Sequence, residues 1–160
     1  SDFGDVYLLV KCKFCVINTS GINSVPYTFN VPVASANVIP LTRGPPPGKQ
    51  DVFIPKKIWN VKEKRYLTFR EMIYAPEIER WQFDEFNPED GLVPIENTER
   101  EILDLTLEMN ERLDGCWKTT LEDEELQAQF KAWFDSSTHC YGFPSRIGAK
   151  FLRENKEMLG

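Results

Sequence analysis

Histidine is nearly absent from this chain, with one residue, His139, among 160. Cysteine is scarce as well, at four: Cys12, Cys15, Cys116 and Cys140. Cys12-Lys-Phe-Cys15 has CxxC spacing, but no second CxxC and no spaced histidine pair completes a zinc site. The apolar flanks Leu8-Leu9-Val10 and Phe14, Val16-Ile17 place the pair in a core, so buried structural thiols are expected ahead of redox or zinc chemistry. No run approaches the roughly 20 apolar residues of a membrane span. Ser1-Asp2-Phe3-Gly4-Asp5 carries no basic n-region and no apolar core, so no secretory signal is read there. With reduced cysteines, that points to the cytoplasm. No GxxxxGK[ST] loop is present, which removes a P-loop kinase.

Charge of one sign is also short where it counts. Nineteen basic against 25 acidic residues give a net −6, which excludes a general nucleic-acid coat. The imbalance is local. Residues 1–62 hold seven basic and three acidic side chains, residues 63–135 eight and twenty, and residues 136–160 four and two. A mildly basic front and a strongly acidic body suggest two regions with different tasks. What is present, 41% hydrophobic and 28% charged residues, is the composition of a globular domain rather than a disordered one.

The pattern predicts a helix over 2–12, with Asp2 as N-cap and Val6, Leu9 and Val10 on one buried face. Phe14–Ile17 reads as a fully buried strand of a parallel sheet, ending in the small polar cluster Asn18-Thr19-Ser20-Gly21. A short helix over 22–30 and a strand over 31–40 follow. Residues 41–57, with Pro45-Pro46-Pro47, read as a long stiff loop whose 52–59 part docks on the domain. Thr68 and Glu71 form a capping box for a helix to Tyr74. Residues 75–97, broken by Pro76, Pro88, Gly91 and Pro94, read as irregular. Thr98 caps a helix to Leu113, with Ile102, Leu103, Leu105, Leu107, Met109 and Leu113 as a broad buried face and Gly115 as its stop. Thr120 opens another to Phe134, with Leu126, Phe130, Trp133 and Phe134 on one side. Ser145 caps a last helix, Ile147–Met158. Together these give an α/β fold: a partial Rossmann-like parallel sheet in residues 1–62 and a mainly helical region in residues 63–160.

The turn after the first strand carries the chemistry. A helix start presents unpaired N–H groups and a partial positive charge, Thr19 and Ser20 add hydroxyls, and Gly21 lets an anion approach the backbone. A phosphate cradle at the carboxyl end of a strand is one reading; an ordinary cap in which Asn18 or Ser20 satisfies its own helix is the other.

Asp5-Val6-Tyr7-Leu8, Cys12-Lys13-Phe14, Thr19-Ser20-Gly21, Phe29-Asn30-Val31-Pro32 and Asn37 together resemble a run in a family of bacterial glycosyltransferases. That family's C-terminal half shows an acidic helix, a Cys-aromatic strand, a T-S-G or N-S-G turn, a helix and F-G-V-P. Asn30 stands where its glycine is common. The resemblance continues through Asp51–Lys56, Arg65–Met72, Ser145–Gly148 and Phe151-Leu152. More distantly, the front segment looks like the donor half of heptosyltransferases and of fucosyltransferases with the GT-B fold, in which two Rossmann-like domains face each other. The resemblance implies that Asn18, Thr19, Ser20, Gly21 and the backbone of Ile22 and Asn23 hold the diphosphate of a nucleotide sugar, without a metal or other cofactor. Arg43, Lys49 or Lys56 would assist from the loop, and Asp51 would orient a ribose or sugar hydroxyl, although a turn cap also fits Asp51. The acceptor would be a glycan or other hydroxyl, and the general base would come from an N-terminal domain outside these residues. His139, in a Ser/Thr/Gly neighbourhood, reads as a surface-loop residue. The chain, which does not begin with Met, is accordingly expected to be a C-terminal part of a longer protein and inactive alone. The competing reading is a non-enzymatic helical interaction module that docks a partner through Trp81, Trp117 and Trp133.

Overall fold

The computed structural model describes residues 2–80, 89 and 91–160; of Asp2 and Arg80 only the backbone is described. Trp81, Pro88 and the side chain of Asp2, all given roles above, lie outside the described residues. The chain is α/β. In order it forms α1 (Asp2–Lys11), β1 (Cys15–Ile17), a 3-10 turn (Gly21–Asn23), α2 (Ser24–Thr28), β2 (Val33–Val38), β3 (Val52–Pro55), β4 (Lys57–Asn60) and β5 (Arg65–Tyr66). Then come α3 (Phe69–Tyr74), α4 (Pro76–Arg80), β6 (Leu92–Ile95), α5 (Glu99–Leu113), α6 (Leu121–Ala132), β7 (Arg146–Ile147), α7 (Ala149–Glu154) and a closing 3-10 turn (Lys156–Leu159).

Four strands make a parallel sheet in the order β1-β2-β3-β7, and three make an antiparallel sheet in the order β5-β4-β6. Val33, Ala34, Val38, Val52, Phe53 and Ile54 are all buried, as expected for central parallel strands covered on both faces. The core continues through Phe69, Met109, Phe130, Ile147 and Leu152. Four aromatic rings, Phe53, Phe130, Phe134 and Phe143, pack together within it, edge to face in the Phe53–Phe143, Phe130–Phe134 and Phe134–Phe143 pairs, the last at 4.9 Å.

Several expectations change here. Residues 52–55, read as part of a loop, form β3, one of the two interior strands of the parallel sheet. Within 75–97, read as irregular, the chain builds α4 and β6. Ser145 caps nothing: the chain first pairs as β7 with β3, and α7 starts after Gly148 without a side-chain cap. On α5 only Leu105 and Met109 of the apolar set are fully buried, with Ile102 and Leu113 half-buried, while Leu103 and Leu107 face solvent. On α1 the expected face is only partly covered: Leu9 and Val10 are half-buried and Val6 is exposed, and elsewhere on the helix Phe3 is 80% exposed, Leu8 67%, and Tyr7 exposed too. The three threonine caps form as read, each a full capping box: Thr68 with Glu71, Thr98 with Glu101, and Thr120 with Asp123.

Three side chains tie the ends of the central strands, Asp51 at one end and Asn37 and Asn97 at the other. Asp51, buried, accepts from the backbone N–H of Val33 (2.9 Å) and of Gly48 (2.7 Å), which joins the loop to β2. Gly48 admits this contact because a Cβ there would meet the Asp51 carboxylate at 2.5 Å. At the other end, the Asn37 N–H donates to Asn97 Oδ1 (2.6 Å), the Asn97 N–H to Asn37 Oδ1 (2.7 Å), and Asn97 Nδ2 to the Pro55 carbonyl (2.8 Å). Asn37, at φ +57°, belongs to the small class of residues that tolerate the left-handed region.

Asp51→Ala leaves two backbone N–H groups without their acceptor and is expected to cost about 2–4 kcal/mol, read by urea unfolding. A second expectation concerns acid. The Arg65 guanidinium, then the Thr68 cap, hold Glu71 down to about 2 from its ordinary 4.5. This pair therefore contributes stability above pH 4.5 and loses it as the pH falls toward 2. Carboxyl NMR should place the Glu71 midpoint near 2, and Arg65→Gln should raise it.

Candidate functional site

At the carboxyl end of β1 the chain turns through Asn18, Thr19 and Ser20 into the 3-10 turn Gly21–Asn23 and then α2. Ser20 is extended, at φ −149° and ψ 165°, and its side chain makes no cap bond. The turn is held by other groups. The Asn23 N–H donates to the Ser20 carbonyl at 3.2 Å, Asn23 Nδ2 to the Asn18 carbonyl at 2.8 Å, and Ser24 Oγ to the Gly21 carbonyl at 3.0 Å. The ordinary-cap reading of Asn18 or Ser20 is therefore not what the geometry shows. Thr19 and Ser20 are exposed, and among the described residues their hydroxyls and the Gly21 and Ile22 N–H groups make no hydrogen bond. A Cβ built on Gly21 meets nothing within 4 Å, so the space above the turn is open. Asn18–Ile22 are exposed and contiguous, whereas Asn23 is half-buried, spends its N–H and Nδ2 inside the turn, and leaves its Oδ1 buried without a partner.

The four loop residues do not gather there. Lys56 follows β3 at the same carboxyl edge of the sheet, two strands from the turn, and pairs with Glu96. Arg43, in the loop after β2, donates from Nε to Glu79 Oε1 at 2.7 Å, and Thr42 also bonds Glu79. Burial opposes ionisation of Glu79, but the Thr42 and Arg43 hydrogen bonds prevail and hold it below the usual carboxylate range. His139, exposed, lies in the same shallow depression with Thr42, Arg43 and Glu79. Lys49 and Asp51 stand before β3, at the amino edge, opposite the turn. Asp51 is a structural staple there; burial raises its pKa while the Val33 and Gly48 N–H bonds partly offset that rise.

Sequence reasoning missed a second feature, a cleft of about 350 Å³ at that amino edge, lined by Tyr27, Asn30, Pro47, Lys49 and Asp51 among others. Burial, then the Asp51 carboxylate, pushes the Tyr27 phenol up to about 12, so it stays a neutral donor at physiological pH. Five-residue α2 thus runs from the polar turn at one edge to Tyr27 near this cleft at the other. The sequence pattern has no signal for the cleft, since its walls come from two separate segments, residues 27–32 and 47–51. Asn97 was missed likewise; its role depends on a partner 60 residues away.

Among the described residues no group of three or more His, Cys, Asp or Glu side chains is gathered to hold a metal ion. No described helix is long and apolar enough to cross a membrane. Trp117 and Trp133 are half-buried and engaged in the fold: Arg112 lies over the Trp117 ring at 4.9 Å, and Trp133 Nε1 donates to the Leu159 carbonyl at 3.2 Å. No family model, no curated protein and no solved structure matches this chain.

If Thr19 and Ser20 serve a ligand rather than the turn, removing their hydroxyls leaves the fold intact. The double variant Thr19→Ala/Ser20→Ala is expected to unfold within about 0.5 kcal/mol of the parent, whereas loss of a true cap costs about 1 kcal/mol. Denaturant midpoints distinguish the two.

Proposed function

We propose that this chain is the donor-binding part of a glycosyltransferase of GT-B type, taking the diphosphate of a nucleotide sugar at Asn18–Asn23. The observation that carries the reading is the turn after β1, where two hydroxyls and two backbone N–H groups stand uncommitted beneath open space. The position suits such a ligand, since open parallel sheets bind at the carboxyl ends of their strands. The resemblance of Asp5–Asn37 and of the later segments to bacterial glycosyltransferases supports the same assignment from the residues themselves.

The chemistry follows from those donors. As the bond from sugar to diphosphate breaks, negative charge grows on the leaving group. Donors already fixed in place stabilise that charge with no reorganisation during the step. Thr19 and Ser20 supply hydroxyls and Gly21 and Ile22 supply N–H groups, and no metal is required for this role. Lys56 is the cation on the same edge, and exchange of its ion pair with exposed Glu96 for a phosphate is the route by which it would assist. Arg43 is committed to Glu79, and Lys49 and Asp51 face away, so they have no part in the diphosphate contact. The base that deprotonates the acceptor hydroxyl, on a glycan or another alcohol, is assigned to an N-terminal domain of the full-length protein. The isolated chain then binds donor without turning it over.

A second reading, an interaction module, is favoured by a different observation. Its surface would be α1 and the segments that follow it, where Phe3, Tyr7, Leu8, Val16, Ile22 and Phe29 are exposed, rather than Trp117 and Trp133, which the fold engages.

A thermal-shift screen with UDP-, GDP-, ADP- and CMP-linked sugars separates the two. A saturating donor at about 100 times its Kd raises Tm by roughly 5–10 °C, and Thr19→Ala/Ser20→Ala abolishes the rise. Absence of a shift with every nucleotide sugar would overturn the donor-binding reading and leave the interaction module.

A further inference from the structure

Cys12 follows the last residue of α1 and Cys15 is the first residue of β1. The two-residue connection between them brings their sulfurs into contact, with Sγ to Sγ at 3.4 Å. Cys12 is exposed, while Cys15 is 5% exposed. Both backbones are anchored. The Cys12 N–H donates to the Leu8 carbonyl at 3.0 Å, and the Cys15 N–H to the Pro32 carbonyl at 2.9 Å. Between them Lys13 Nζ reaches Asn110 Oδ1 (2.6 Å) and Asp114 Oδ1 (2.7 Å), which pins the connection to the end of α5. Bond formation has to bring these sulfurs from 3.4 Å to about 2.0 Å, a closure that starts from contact between two anchored residues.

The other two cysteines have no sulfur neighbour. Cys116 Sγ faces the Asp114 carbonyl and Cys140 Sγ donates to the Leu41 carbonyl at 3.3 Å. The close pair also lacks what zinc needs, because no third or fourth ligand is gathered beside it among the described residues. The expectation that both CxxC thiols are buried holds for Cys15 alone.

We propose that Cys12 and Cys15 are a reversible dithiol–disulfide site, oxidised by low-molecular-weight disulfides of the glutathione type, that fastens α1 to the edge strand β1. In the first step the exposed Cys12 thiolate attacks one sulfur of glutathione disulfide. That S–S bond breaks, one glutathione leaves as thiolate, and Cys12 carries the other as a mixed disulfide. In the second step Cys15 gives its proton to solvent and attacks Cys12 Sγ, expelling the second glutathione thiolate. The two protein thiols have lost two electrons and two protons, and the glutathione disulfide has become two thiols. Reduced glutathione reverses both steps.

The surroundings set the character of the site. A CxxC pair at a helix N-terminus has its thiolate stabilised and exchanges fast. Here the pair sits past the C-terminus of α1, where the helix dipole is negative, and Cys12 Sγ donates to the Leu9 carbonyl at 3.2 Å. Burial pushes the Cys15 thiol up to about 12, so its attack is slow at neutral pH and accelerates with base. The result is a clasp that closes slowly and persists, rather than an oxidoreductase centre. It is independent of the donor-binding reading.

The test uses the full chain equilibrated at pH 8 across a series of reduced-to-oxidised glutathione ratios, acid-quenched, alkylated and weighed intact. In the oxidised range the chain should lose two hydrogens and two of its four alkylatable cysteines. Trypsin, cutting after Lys11 and Lys13, should then release the Cys12-Lys13 dipeptide joined to the peptide that begins at Phe14. Cys15→Ser should stall with glutathione on Cys12, and Cys12→Ser should leave Cys15 a free thiol. Hydrogen exchange of residues 2–11 should slow in the oxidised chain. Two results would overturn the site: four alkylated cysteines at every ratio, or glutathione accumulating on wild-type Cys12 without the crosslinked peptide. Unchanged exchange in α1 would overturn the fastening.

Discussion

Everything in the fold depends on burying β3, four residues from Val52 to Pro55, between β2 and β7. Val52 and Phe53 have no exposure and Ile54 almost none, so the backbone around them must find every hydrogen-bond partner inside the protein. Distant residues supply them. The Arg146 N–H donates to the Asp51 carbonyl at 3.0 Å and the Gly148 N–H to the Phe53 carbonyl at 2.8 Å. Asn97 Nδ2 takes the Pro55 carbonyl, and the Asp51 side chain takes the N–H of Val33 on the neighbouring strand. The sheet therefore draws its fourth strand from residues 146–147, and α5 and α7 pack where those bonds put them. Buried Glu108 completes the frame, accepting from the Ala149 N–H at 2.8 Å at the start of α7 and from Arg112 Nε at 2.9 Å.

How much of this is legible in the sequence depends on the range of each interaction. The threonine capping boxes are local, three residues from cap to partner, and Thr68, Thr98 and Thr120 all cap helices where the pattern puts them. β1 and β2 are legible because an apolar run bounded by small polar residues has few other uses. β3 is not. Its short apolar run lies between a triple proline and Pro55, and only pairing with β2 and β7 makes it a strand. β6 contains Pro94, which reads as a breaker; it survives because β6 is an edge strand paired on one side with β4. β7 is two residues long and carries no pattern at all, so Ser145 looks like a cap until Phe53 claims Ile147 as its neighbour.

The same strand explains why only part of the nominated site comes together. Asn18–Asn23 is contiguous, so no rearrangement of the rest of the chain can scatter it. Lys49, Asp51 and Lys56 are close in sequence and would converge on one ligand if they shared a loop. With β3 between them, a rise of about 3.3 Å per residue carries the chain roughly 13 Å from one edge of the sheet to the other. Lys56 arrives at the edge that bears the polar turn, whereas Lys49 and Asp51 remain beside the amino-edge cleft with Tyr27. The basic excess of residues 1–62 is thereby divided between two surfaces and does not form a single anion-attracting patch.

The polar turn itself sits on an edge strand of the parallel sheet. β1 is three residues long, pairs only with β2, and shows Val16 46% exposed. A binding turn is only as ordered as the element that presents it. Here the order comes from the anchors at the start of β1: the Cys15–Pro32 backbone bond, the Lys13 contacts to α5, and α1 packing on α2. Only Val16 and Ile17 separate Cys15 from Asn18, so a covalent link from Cys12 to Cys15 would act on the one strand whose far end carries the uncommitted hydroxyls. Anything that covers α1 or joins it to β1 reaches the turn through three residues of backbone. This coupling follows from the edge position of β1, because an interior strand would be held by two neighbours and indifferent to its flanking helix.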